Sequence, residues 1–363
     1  MGKVLTIGAA TQDIIIKFPQ EAAVNPCNNA HAFTTFKDGS KIEIEELFYT
    51  QGGGATNSAV SLSKQGFQVH TFFKISNDQA GKNIIETLKK QAITVSNDVC
   101  DQEPTGTSFI FPSHKDRIIF TYRGANNTFD YTKIPDSIFQ ELIGLYITSL
   151  TGKASESLAQ IISKARKKDP EGTLKIAVNP GASQLTSPVC SLKAALHQID
   201  VLILNSDEMK LLMSRLTPRF FCSTGKGIIK EGPPLLANTL SYQKVSFTFY
   251  EYCKALLDYG VKRIVVTDGK HGVYVANKDN VFFHSALPVN LVNTVGAGDA
   301  FGSTFFGSLL QRDSLETAIK KGIINASSVI LHYDAQSGLL TQQELEQQLK
   351  LLDPSLLKRF SWP

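Results

Sequence analysis

The sequence predicts an α/β fold, a mainly parallel sheet with helices on both faces, and three observations carry that expectation. Short apolar runs alternate with segments of helical period along most of the chain, the order that builds βαβ units. Two glycine-rich turns, residues 51–57 (QGGGATN) and 293–299 (NTVGAGD), each open directly into an apolar helical stretch. Several apolar runs end in polar or glycine-rich residues, as strands do where an open sheet collects its ligands.

Taken in order, residues 3–7 read as a strand ending in the turn 8–13, and 14–16 resume as a second strand, which places Asp13 at a strand end. Residues 18–46 mix prolines, polar clusters and short apolar pieces, so they read as loops and short strands outside the main sheet. Residues 55–64 form a helix with Gly66 as its stop. A strand at 69–75 and a helix at 81–91 follow. The alternating segments 106–111 and 117–122 lie a hairpin apart and are expected to form a small sheet with the irregular N-terminal region.

The alternation then resumes: strand 142–148, helix 156–168, strand 174–179, short helix 192–197, strand 201–204. That last strand ends at Asn205-Ser206-Asp207-Glu208, which opens another helix. Residues 214–244, with Pro218, Pro233 and Pro234, break the pattern and are long for a plain connection. Next come a helix at 247–257, a strand at 263–267, the turn Asp268-Gly269-Lys270-His271-Gly272 and a strand at 273–276. The apolar run 285–292 reads as the strand before the second glycine turn. Helices at 314–322, 323–331 and 342–352 close the chain.

Composition narrows the function. The 363 residues are 42% hydrophobic and 19% charged, enough apolar material for a large core without staples. Net charge is +4, with 37 Lys and Arg against 33 Asp and Glu, and the basic residues do not cluster as a nucleic-acid footprint would. The run 164–168 (KARKK) reads as a solvated helix end. Cys27, Cys100, Cys190, Cys222 and Cys253 stand far apart with no C-x-x-C pair, which suggests neither a zinc site nor a disulfide framework. No segment approaches the roughly eighteen apolar residues of a membrane span, and the N-terminus lacks a signal-like stretch. A cytoplasmic protein with no membrane partner is expected. Met1-Gly2 matches a loose myristoylation pattern, but Val4, Leu5 and Ile7 read better as a buried strand.

The turn 293–299 carries the chemistry. A helix starting near Gly298 leaves its first N–H groups without intrahelical acceptors, and Gly296 and Gly298 allow a bulky anion to approach them. The positive end of the helix dipole favours phosphate oxygens there. Asp299, in the first turn, would either cap the helix or accept a proton from a hydroxyl brought up to that anion. Asn205 and Glu208 have the spacing of a capping box.

Two stretches, GGGATNSAVSLSKQG at 52–66 and NTVGAGDAFGSTFFGSLL at 293–310, resemble the PfkB/ribokinase family of sugar and nucleoside kinases. NSDE at 205–208, VVTDGKHGV at 265–273 and GAN at 124–126 support the match in the family's order. The resemblance implies a ribokinase-like three-layer α/β/α sandwich, one domain over 1–363, with a small β lid from about 16–50 and 105–125. The insertion at about 214–244 matches nothing in it.

The resemblance also implies roles. ATP would give its γ-phosphoryl group to a hydroxyl of a monosaccharide or related small polyol, with Asp299 as base and the N–H groups of Gly296, Ala297 and Gly298 as the anion hole. Asn205 and Glu208 would organise Mg²⁺ through its waters. Thr267, Gly269 and Gly272 would line the nucleotide, and Asn325 would border the adenine. Asp13, Gly53 and Asn57 would hold substrate hydroxyls, and Arg123 would reach a substrate carboxylate or phosphate. Pairing of two copies through the lid is a further expectation.

Two departures leave alternatives open. Asn293 stands where the family usually has Asp, one negative charge fewer, which puts K⁺ dependence in doubt. The first glycine turn differs slightly from the ribokinase and adenosine kinase forms, so an adenosine-like nucleoside remains an alternative substrate; Phe33, Phe36 and Tyr122 would be candidates to clamp its base. A catalytically silent sugar- or nucleotide-binding homologue is the alternative of another class, and intact Asp299, Gly296 and Gly298 argue against it.

Overall fold

Residues 2–19, 38–112, 117–186, 191–217 and 220–362 are described by the computed structural model. Cys27, Phe33, Phe36, Cys190 and Pro218, and with them part of the expected lid, lie outside the described residues. The strands are β1 (Lys3–Ile7), β2 (Thr11–Lys17), β3 (Glu46–Gly52), β4 (Gln68–Ser76), β5 (Thr94–Cys100), β6 (Thr107–Pro112), β7 (Arg117–Tyr122) and β8 (Leu142–Ile147), then β9 (Lys175–Val178), β10 (Val201–Asn205), β11 (Leu240–Tyr242), β12 (Val245–Phe247), β13 (Arg263–Thr267), β14 (Val273–Ala276), β15 (Asn280–His284) and β16 (Leu357–Ser361). The helices are α1 (Gly54–Lys64), α2 (Gln79–Lys90), α3 (Leu158–Lys167), α4 (Ala182–Thr186), α5 (Ser191–Ala195), α6 (Ser206–Leu216), α7 (Pro234–Ala237), α8 (Phe249–Asp258), α9 (Ala297–Leu310), α10 (Leu315–Val329) and α11 (Gln342–Leu351).

Among the described residues ten strands make the main sheet, in the order β16-β15-β14-β13-β10-β9-β8-β1-β4-β5. The strands from β13 to β5 run parallel, while β14, β15 and β16 add an antiparallel flank. Alternate residues of each strand feed two cores, as the period of two requires. Leu5, Leu145, Leu202 and Ile264 face the layer of α3, α5, α6 and α8, whereas Val4, Tyr146, Ile203 and Val265 face α1, α2, α9 and α10. The result is three layers, helix, sheet and helix.

Within the second layer α9 is buried from Ala300 to Ser308, as its nearly continuous apolar sequence demands. Two glycines bring it close to its neighbours. A Cβ on Gly302 would lie 2.3 Å from the Tyr146 hydroxyl of β8, and one on Gly307 would lie 2.3 Å from Gln65 Oε1 beyond α1.

A second, four-stranded sheet in the order β3-β2-β6-β7 branches from the same end of the main sheet. It begins at Thr11, directly after β1, and β3 runs straight into α1. Asp13 therefore belongs to this small sheet, third in β2, rather than to a strand of the main one. One face of the small sheet carries Asp13, Ile15, Ser108 and Ile110, all buried, and the other carries Tyr49, Phe109 and Phe120, all exposed.

Several expectations are corrected. Residues 285–292 form no strand; the strand ends at His284, and Leu291 and Val292 are exposed in a loop, so the apolar run lacks a sheet partner. The two helices expected at 314–331 are one, α10, because Gly322 does not stop it. Gly322 instead lies against Phe301, to which an added Cβ would come within 2.8 Å. The basic run at 164–168 is not all solvated. Arg166 hydrogen-bonds the carbonyls of Leu174 and Gln198 and pairs with Asp169 and Asp200. Strands β3, β5, β15 and β16 were not foreseen, and residues 220–247 hold α7 and the β11–β12 hairpin.

Candidate active site

Both glycine turns begin a helix at the same end of the sheet. Gly53 caps α1 with φ of 97°, a region that disfavours any side chain, and a Cβ there would sit 2.4 Å from the Ala9 carbonyl. Its neighbour Gly52 makes room for a carboxylate: an added Cβ would lie 2.0 Å from Asp13 Oδ2. Gly296 caps α9 with φ of 79° and supplies no side-chain cap; Ala297 N–H turns back to the Thr294 carbonyl at 3.4 Å, and the next N–H groups, of Gly298 and Asp299, can serve an external acceptor. A Cβ on Gly298 would meet nothing within 4 Å, so the helix start is open.

Asp299, in the first turn of α9, meets Asn57, in the first turn of α1. Asn57 Nδ2 donates to Asp299 Oδ2 at 2.9 Å. Asn57 Oδ1 in turn accepts from Gln336 Nε2 at 3.0 Å. Both ends of the Asn57 amide are thus engaged within the protein. Burial holds the Asp299 carboxyl above its ordinary range, and the hydrogen bond from Asn57 works against it.

Asp13 is pushed up to about 6, chiefly by burial, with hydrogen bonds from Thr11 and Ser108 opposing and the charges of Asp299 and Asp334 adding to the rise. Thr11 Oγ1 donates to Asp13 Oδ1 at 3.0 Å. Asp13, Asp299 and Asn57 therefore surround one polar spot between the small sheet and the helix starts.

On the other side of Asp299 lies a cavity of about 230 Å³ shared with Glu208, Gly54, Thr148, Ser149 and Asn179. Glu208 reaches it from α6, where Asn205 and Glu208 do form a capping box. Asn205 Oδ1 accepts from Glu208 N at 2.8 Å, and Glu208 Oε2 accepts from Asn205 N at 2.9 Å. The Glu208 carboxyl is raised mainly by burial, and by Asp207 and Asp299. Glu208, fixed by its capping box at the edge of this polar cavity, has the chemistry that suits a hydrated divalent cation. Among the described residues no three His, Cys, Asp or Glu side chains gather as a direct metal cage.

The strand end of β13 lies beside that of β10, with Thr267 paired to Asn205 in register. Gly269 and Gly272 flank the short turn to the antiparallel β14. Gly272 is required by packing, since its Cβ would meet the His284 carbonyl at 2.0 Å, while Gly269 faces open space. Asn325 is fully buried: Nδ2 donates to Thr304 Oγ1 at 2.6 Å and Oδ1 accepts from Leu340 N at 2.8 Å. It stands behind, not in, the apolar cavity of about 340 Å³ lined by Leu287, Val289, Ile324, Ser328 and Leu331. Arg123 is exposed, and among the described residues no contact ties its side chain to Asp13 or Asp299. Its neighbour Asn126 serves the backbone, donating to the Ala10 carbonyl at 2.9 Å and accepting from Ala10 N at 3.1 Å.

Asn293 is buried beneath the turn. Its Oδ1 accepts from Val295 N at 3.1 Å and its Nδ2 donates to the Tyr333 carbonyl at 2.6 Å. Sequence reasoning missed Asn179, which follows β9 and carried the strand-end signal used elsewhere. It also missed Gln336 and Asp334, which lie in a polar turn after a helix and resemble any loop.

Residues 22–342 match the pfkB family carbohydrate kinase model. The chain is 25% identical over 352 residues to ribokinase of Haemophilus influenzae, covering 95% of this chain and 97% of that one. It is 26% identical over 310 residues to 5-dehydro-2-deoxygluconokinase of Listeria monocytogenes, covering 81% and 85%. Its fold superimposes on that of Arabidopsis thaliana ribokinase complexed with ribose and ATP with a TM-score of 0.70, at 18% identity and over 96% and 99% of the two chains. With the family matched over most of its length, the chain belongs to the pfkB family of carbohydrate kinases, phosphotransferases that use an alcohol group as acceptor.

Proposed function

We propose that this chain transfers the γ-phosphoryl group of ATP to a hydroxyl of a monosaccharide or related small polyol. The observation that carries the reading is the position of Asp299, at the open start of α9, joined to Asn57 and facing Glu208 across one cavity. Asp299 acts as base on the acceptor hydroxyl, help worth roughly 10²–10⁴ in rate. The N–H groups at the start of α9, from Gly296 to Gly298, stabilise charge on the phosphoryl oxygens. Asp13 and the turn at Gly53 hold the acceptor's other hydroxyls, a carboxylate matching a polyol's donors. Asn57 serves the acceptor through Asp299.

The nucleotide lies over Thr267, Gly269 and Gly272, with its base in the apolar cavity beside Ile324 and Ser328. Asn205 and Glu208 would hold Mg²⁺ through water, and the ion would screen the phosphate charge when bound. The small sheet acts as a lid over Asp13. Its outer face, with Tyr49 61%, Phe109 39% and Phe120 62% exposed, is apolar enough to seat a second copy of the chain.

The test is ADP release from Mg-ATP across ribose, fructose, 2-keto-3-deoxygluconate, sugar monophosphates, adenosine and other ribonucleosides. One strongly preferred sugar is the expected outcome. A preferred nucleoside would move the reading to a nucleoside kinase, and silence with intact ATP binding would overturn catalysis in favour of a binding role.

A further inference from the structure

We propose that Gln336 is a positioning residue for phosphoryl transfer: its amide holds the Asn57 side chain in the one orientation that lets Asn57 donate to Asp299. The inference rests on the reading of Asp299 as the base. Gln336 Nε2 lies 3.0 Å from Asn57 Oδ1, and Asn57 Nδ2 lies 2.9 Å from Asp299 Oδ2. The polarity of this chain follows from its end. An ionised carboxylate only accepts, so Asn57 must turn its NH₂ to Asp299, and its oxygen then faces Gln336, which must present an NH₂ in turn.

The fold holds Gln336 for this task. The residue is buried and sits in the turn after α10, where Asp334 Oδ1 accepts the N–H groups of Gln336 and Ser337, each at 2.8 Å. The same turn is tied to the start of α9 by the bond from Asn293 to the Tyr333 carbonyl. It also touches the small sheet, where the Phe48 ring stacks on Tyr333 with centroids 6.0 Å apart. Gln336 is thus fixed from three directions around the side chain it orients.

The titratable groups facing Asp299 are Asp13 of β2, Tyr146 of β8 and Glu208 of α6, and Asp334 faces Asp13. All are acids, so none of them favours a negative charge on Asp299. The bond from Asn57 is the contact that does.

The test is a ¹³Cγ NMR titration of aspartate-labelled full-length protein without substrate, with the Asp299 signal assigned from Asp299→Asn. Gln336→Leu removes the donor. Gln336→Glu keeps the shape but supplies only an acceptor, which draws the Asn57 NH₂ away and points its oxygen at Asp299. The Asp299 midpoint is expected to rise by about one pH unit in Gln336→Leu, a tenfold change in its protonation equilibrium, and further in Gln336→Glu. The acid limb of kcat/KM, on whichever sugar the wild type phosphorylates, should move up with it, the rates converging at higher pH. Unmoved midpoints in both folded variants, or a larger shift in the Leu variant than in the Glu variant, would overturn the proposal. The titration needs no turnover: an enzyme silent on every sugar would sink the kinase reading and leave the role of Gln336 to be decided by the NMR.

Discussion

Asn57 and Asp299, 242 positions apart in the chain, are joined by a hydrogen bond of 2.9 Å, so the two glycine-rich turns meet at one contact. Each turn starts a helix, and each helix start brings one partner. The contact sets a carboxylate between the open start of α9 and the small sheet.

Replacing the base isolates chemistry from binding. Asp299→Asn should lower kcat by roughly 10²–10⁴ while the affinity for ATP, measured by calorimetry, changes little. Turnover at the wild-type rate would remove Asp299 from the role.

Asp13 links function to stability through pH. Its carboxyl titrates near 6 when folded, against an ordinary value of 3.8. The folded state therefore holds the proton more tightly, and stability from this group, full below about pH 4, is lost as pH rises through 6. A gap of about two pH units corresponds to about 3 kcal/mol at neutral pH. Asp13→Asn should then melt higher than the wild type at pH 7.5, lose that advantage near pH 4, and bind the sugar less tightly. Equal destabilisation at both pH values would refute the assignment.

Asn293 gives a test of cation dependence. Its Nδ2 donates to the Tyr333 carbonyl, so a hydrogen-bond donor faces that oxygen where an aspartate would set a second acceptor. Wild-type activity should change less than about twofold between K⁺ and tetramethylammonium buffers. Asn293→Asp sets a carboxylate against that carbonyl, a loss of about 1–3 kcal/mol, and K⁺ should restore part of it. The readout is the melting temperature in the two buffers, and a variant indifferent to the cation would count against this account.

The exposed outer face of the small sheet makes a solution prediction. Phe120→Glu, placed where Phe120 is 62% exposed, should convert a dimer to a monomer in sedimentation equilibrium at little cost to monomer stability. A wild type that is monomeric at high concentration would dispose of the pairing outright.

Much of this site was legible because glycine and strand-end chemistry leave local marks. Gly53 and Gly296 have backbone angles that few other residues tolerate, and both stood out as turn glycines before helices. The alternation of strand and helix gave the layers for the same reason. The failures have physical causes too. Residues 285–292 look like a strand because apolarity is local, whereas a strand needs a partner strand, and none among the described residues forms a ladder with them. Gly322 looked like a helix stop because a glycine's packing against Phe301 leaves no local trace. Gln336 acts across 279 positions of chain on Asn57, and the sequence carries no local record of that contact. Asn325 is held by Thr304 and Leu340, partners that its local sequence does not reveal.

The burial of α9 has a consequence for how the protein is made. On a ribosome the strands β8 and β10 emerge long before residues 297–310, so the part of the face bearing Tyr146 and Ile203, against which Gly302 of α9 packs, waits for its cover until the last fifth of the chain arrives. A nascent chain arrested short of α9 would present that apolar face to chaperones, and the release of its full-length product would complete the core and bring Asp299 to Asn57 in the same step.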